Sequence, residues 1–174
     1  ICSGLVGSEM CIRDSRIAEW PELSELAPDE RYAMERQLFE TTHDQVGGQL
    51  AKSWKLPDAL RLSMAMHHHL PGTEVDESDA AYCQLAQCAD WMAAVFNCDD
   101  KRHTLGRSHA LLQEHFSIDS SEADQLLGSI SGEVSEAARA FGFELEKQPP
   151  FEEILQLFLP VSYTHLTLPT TRLV

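Results

Sequence analysis

Apolar and polar positions along this chain recur with a helical period nearly throughout, and no stretch shows the two-residue alternation of a strand. Pro28-Asp29-Glu30 has the form of a helix start, with proline and acids in the first turn. Tyr32, Met34, Leu38 and Phe39 carry that helix toward Glu40. Thr42 with Gln45 three residues on has the form of a capping box, and the helix it opens runs through Val46, Leu50 and Trp54 before stopping at Leu56-Pro57. Pro57-Asp58 starts a third helix through Leu60, Met64 and His67, which Pro71-Gly72 ends. After a polar loop over Gly72 to Ser78, the strongest helix is predicted from Asp79 to Asn97, with Leu85, Ala89, Met92 and Phe96 at helical spacing. Asp99 to Arg102 reads as a charged turn, Ser108 to Phe116 as a helix, and Ser121 with Asp124 as the opening of another that ends at Phe141-Gly142. Pro149-Pro150 marks a boundary before a short amphipathic helix, Phe151 to Leu159. The expected fold class is all-α.

The two ends change the domain picture. Met10-Cys11-Ile12-Arg13-Asp14 can be encoded by ATG TGT ATA AGA GAC, whose reverse complement encodes Val161-Ser162-Tyr163-Thr164-His165. Together the two segments resemble a translated transposase-end adapter of a sequencing library, and Leu166 to Thr171 resembles its continuation. Residues 1–15 and 161–174 are therefore expected to be translated adapter, and 16–160 a fragment of a metagenomic gene.

Setting those ends aside leaves the charge untouched. The full chain has 28 acids against 13 Lys and Arg, a net charge of −15, and the ends remove two of each sign. So acidic a surface argues against a nucleic-acid backbone as partner, since that binding needs clustered Lys and Arg, and against an anionic membrane surface. No apolar run is long enough to cross a bilayer. Cys83, Cys88 and Cys98 lie along one helix and its end without C-x-x-C spacing, so free buried thiols are expected rather than disulfides or zinc ligands, in a reducing cytoplasmic compartment.

Four polar residues carry the candidate chemistry: His43 in the first turn of its helix, His67 and His68 at the end of the next, and Asp90 inside the apolar helix. Imidazole and carboxylate are ligand types for divalent metals such as iron, manganese or zinc, and a hydroxide on such a centre attacks phosphate esters at neutral pH. A plainer alternative stands beside this. His67 and His68 can cap helix carbonyls, Asp90 needs a partner if buried, and the four can form an internal hydrogen-bond network. Gly47-Gly48 lacks the Lys-Ser/Thr of a phosphate loop, so close helix contact is its expected role. Phosphate-loop, dinucleotide and nucleophile-elbow motifs are absent from the sequence, as is H-E-x-x-H.

His43-Asp44-Gln45-Val46-Gly47, then Leu50, Trp54 and Leu56-Pro57, then His67-His68, and finally Ala89-Asp90-Trp91, resembles the second half of the HDOD domain, clearest from Pro28 to Phe96. The resemblance implies an HD-like helical bundle fragment: the C-terminal part of an HDOD domain plus following helices across 16–160. Half of such a domain is expected to show apolar faces that further helices would cover.

It also implies a bacterial signal-transduction module that regulates through protein contact without catalysis, partnered by a protein or an adjacent signalling domain such as a diguanylate cyclase. No cofactor is expected on that reading. In the related HD-GYP cyclic-dinucleotide phosphodiesterases the positions matching His43, His67, His68 and Asp90 are metal ligands, so the alternative is a phosphohydrolase using iron or manganese. Against it, His69 replaces the glutamate of their His-His-Glu, and Leu70-Pro71-Gly72-Thr73 replaces their D-G-x-G-Y-P loop. A third reading makes the acidic helices after Asp99 a linker to an effector domain.

Overall fold

A computed structural model describes Leu23 and residues 25–69, 76–142 and 150–158 of the 174-residue chain. The adapter-like ends, the stop at Pro71-Gly72 and Pro149 lie outside the described residues. Within them the fold is all-α, with seven helices and no strand. They are α1 (Pro28–Phe39), α2 (His43–Ser53), α3 (Asp58–Met66), α4 (Glu77–Asn97), α5 (Lys101–Phe116), α6 (Ser120–Ala140) and α7 (Phe151–Gln156). No helix among them is long and apolar enough to cross a membrane.

Each boundary has a local cause. Pro28 enters α1 with Asp29 and Glu30 behind it, as expected, and Glu40 closes the helix in the left-handed region at φ 58°. Thr42 is the N-cap of α2 in extended backbone, but its side chain caps no N–H. The expected capping box does not form. The Thr42 hydroxyl donates to Asp44 instead, Asp44 accepts from the Gln45 N–H at 2.8 Å, and the Gln45 side chain accepts from Thr41 at 3.1 Å. A true capping box occurs at α6, four helices after the one that sequence spacing suggested. Asp119 accepts from the N–H groups of Ser121 and Glu122, and Glu122 reaches back to the Asp119 N–H.

Two other boundaries move. α4 starts at Glu77, two residues early, because Glu77 and Asp79 are both acids that suit a first turn. α5 starts at Lys101, inside the expected charged turn, because Asp100 acts as its N-cap and accepts from the His103 N–H at 2.9 Å. Lys101 then covers the end of α4 by donating to the Phe96 carbonyl at 2.7 Å.

The apolar core sits among α4, α5, α6 and α7. Cys88, Trp91, Met92, Val95 and Phe96 of α4 meet Leu105, Leu111 and Leu112 of α5, Ala123 and Leu127 of α6, and Phe151 and Ile154 of α7. The expected α4 stripe is rotated: Met92 and Phe96 point inward, but Leu85 is 56% exposed and Ala89 is exposed, while Cys83, Cys88, Trp91 and Val95 take the interior. The three thiols are free and buried, as their spacing predicted.

The N-terminal end is built differently. α3 buries no residue completely, and α2 buries only Asp44 and Ala51. Val46, Leu50, Trp54 and Leu60, all expected as apolar helix positions, lie at the surface. α2 and α3 approach closely through Gly48, where a Cβ would stand 2.7 Å from the Ala65 Cβ. α1 and the turn before it are joined to the rest by polar contacts, among them the Cys98 thiol on the Leu26 carbonyl at 2.8 Å and His103 beside Asp29 at 3.2 Å.

Candidate metal centre

Short turns bring the N-terminus of α2 against the C-terminus of α3. His43 is the first residue of α2, and His67 and His68 follow Met66 directly where α3 ends. The Nε2 of His43 lies 3.0 Å from the Nε2 of His67 and 3.0 Å from that of His68. The three ligand atoms all lie within 4.8 Å of one another. Three of the four sequence candidates are thus gathered at one point.

Asp90 approaches the His68 side of this cluster from α4. Its Oδ1 accepts from Arg31 at 2.8 Å, while its Oδ2 faces His68 Nε2 at 3.9 Å. That Oδ2 is inaccessible to solvent and has no hydrogen-bond partner. A buried carboxylate oxygen without a donor is costly, so the site contains an unsatisfied acceptor beside His68.

The imidazoles show the same imbalance. His67 Nδ1 lies 3.2 Å from the carbonyls of Ser63 and Met64, which only accept. His67 therefore carries a proton on Nδ1 and turns its Nε2 into the cluster. His43 Nδ1 lies 2.7 Å from Glu35 Oε2, and the His43 backbone N–H donates to the same oxygen at 2.9 Å. Burial, reinforced by His67 and His43, pulls His68 down to about 4, against the opposite pull of Asp90 and Asp44. A neutral ring is the form that coordinates metal.

This donor set fits a divalent transition metal. Nitrogens bound at about 2.1 Å and at right angles to one another stand about 3 Å apart, the separation found on both sides of His43. His43, His67, His68 and Asp90 would hold the ion, and an ion bound there would supply Lewis acidity to an oxygen ligand.

Sequence reasoning missed the supports. Glu35 is 2% exposed, Arg31 holds Asp90, and the Tyr32 ring packs 4.9 Å from both His68 and His69. Arg31 and Glu35 are spaced by one helical turn, so they share a face of α1. That spacing was readable, but nothing in the sequence says the face is turned inward.

Residues 10–70 match the HDOD domain. The HDOD match begins at Met10 and ends at Leu70, about a third of the chain. It takes in α1, α2 and α3, and with them His43, His67 and His68; Asp90 lies beyond it. No curated protein and no solved structure matches the chain.

Proposed function

We propose that this chain belongs to a regulatory module of the HDOD type, acting through a protein partner or an adjacent signalling domain such as a diguanylate cyclase. In this reading His43, His67, His68 and Asp90 hold a divalent iron or manganese ion that fixes α2, α3 and α4 relative to one another without turnover. The match over residues 10–70 supports the module. The observation that carries the metal is the facing of His43 Nε2 and His67 Nε2 at 3.0 Å. The net charge of −15 favours partners with neutral or basic patches.

A metal-dependent phosphohydrolase is the second reading, favoured by the partial exposure of His43, 32% at its side chain, which leaves the cluster open to a ligand. His69 in place of a glutamate and Leu70 to Thr73 in place of the D-G-x-G-Y-P loop weigh against it.

Elemental analysis after anaerobic loading with Fe(II) or Mn(II) tests both. Metal near one equivalent, lost in His67→Ala and inert toward cyclic dinucleotides and bis(4-nitrophenyl) phosphate, supports the regulatory centre. Hydrolysis that disappears in His67→Ala transfers the case to the hydrolase. Absence of metal from the loaded wild-type chain overturns the centre.

A further inference from the structure

Glu35 is a glutamate buried to 2% exposure in a helix whose other buried residue is Pro28. A carboxylate at such a site must be held by donors, and among the described residues its two donors both belong to His43. Its Oε2 accepts from the His43 backbone N–H at 2.9 Å and from His43 Nδ1 at 2.7 Å. The first bond anchors the opening turn of α2. The second fixes the ring, because an ionised carboxylate only accepts and the proton must then lie on Nδ1.

From this we infer that Glu35 is a positioning residue, which holds His43 as the Nδ1–H tautomer and so turns a bare Nε2 toward His67 and His68. The inference rests on the metal centre proposed above and adds that α1, which supplies no ligand, sets the affinity of the site. Arg31, one turn earlier on the same helix, orients Asp90 in the same manner through Oδ1 and leaves Oδ2 turned to the cluster. Carboxylates behind ligating histidines raise their basicity and fix their rotation, and removing one lowers metal affinity by about 10–100-fold.

The experiment uses the full chain with Mn(II) as the probe. Long-range 15N–1H correlation of the imidazoles in the metal-free protein reads the tautomers directly, and calorimetric titration with MnCl2 reads affinity. The wild type is expected to show His43 protonated at Nδ1. Glu35→Leu removes the acceptor; it is expected to shift the His43 proton toward Nε2, leave the His67 tautomer unchanged and weaken Mn(II) by about 10–100-fold. In Glu35→Gln the amide oxygen can accept from the same two N–H groups, so that variant is expected to keep the Nδ1–H form. A His43 tautomer that does not move in Glu35→Leu overturns the role assigned to Glu35. So does an Nε2–H tautomer in the wild type, a reading that needs no variant to fold. Failure of the wild type to take Mn(II) overturns the metal centre, and the wild-type tautomer then still decides the role of Glu35.

Discussion

Gly48 is where the approach of α2 to α3 is most sensitive. A methyl group added there would sit 2.7 Å from the Ala65 Cβ and 3.4 Å from the Ala65 Cα, against a normal carbon contact of about 3.5–4 Å. Ala65 has no rotamer with which to yield, so Gly48→Ala must push the helices apart by about 1 Å. Overpacking of this kind costs about 1–3 kcal/mol, and the rigid partner places it near the top of that range. Replacing a helical glycine returns about 1 kcal/mol of propensity, leaving a net loss of about 2 kcal/mol. For a chain of this length that lowers Tm by about 4–8 °C. Two controls frame the result. At Gly47 the nearest atom is the flexible end of Met64 at 3.5 Å, and at Gly106 nothing lies within 4 Å. Gly47→Ala should therefore be near neutral, and Gly106→Ala should stabilise by about 0.5–1 kcal/mol. Urea unfolding followed by far-UV circular dichroism would rank the three. A Gly48→Ala protein as stable as the wild type would refute the claim that contact at this glycine sets the spacing of α2 and α3.

Two further outcomes follow from the buried titratable groups. His68 is held neutral down to about 4 in the folded chain, whereas the unfolded chain takes up its proton near 6.5. In the metal-free protein the unfolded state thus binds more protons between those values. Stability conferred by neutral His68 should be full above about 6.5 and fall as pH drops toward 4. Urea titrations at pH 7 and 4.5 with chelator should show a steeper loss for the wild type than for His68→Asn; equal slopes would sink the assignment. Burial, with Glu114 second, pushes the Cys88 thiol up to about 11, and burial also raises Cys83 and Cys98. Native alkylation at pH 8, mapped by peptide mass spectrometry, should leave all three unlabelled until urea is added; labelling of Cys88 in the folded chain would contradict its burial.

The parts of this fold that can be read from sequence are those with local causes. Pro28 and Pro57 announce helices because proline fixes φ before a first turn, and Gly142 ends α6 at φ 73° as its position foretold. Local chemistry misleads where two residues compete for one role. Thr42 looks like a capping residue, yet its hydroxyl is taken by Asp44, while Glu35 from the preceding helix supplies the acceptor at the start of α2. Asp99 to Arg102 reads as a solvated turn because charge says nothing about which acid will cap. The histidine cluster was legible as residue types at a spacing. Its supports were not, because the burial of Glu35 and the reach of Arg31 to Asp90 depend on how α1 lies across α2 and α4.

The division of the molecule into an apolar end and a polar end also fixes which backbone amides open first. α4 and α5 share the core, and their central amides should exchange with solvent only when the whole chain unfolds. Ala51 is the one apolar residue that α2 and α3 bury completely among the described residues. Their amides are placed to exchange through a partial opening that leaves the core intact. An ion joining His43 to His67 and His68 would close that opening, so occupancy of the site would be recorded as slowed exchange in α2 and α3 beyond the general slowing that binding to the folded state gives every core amide.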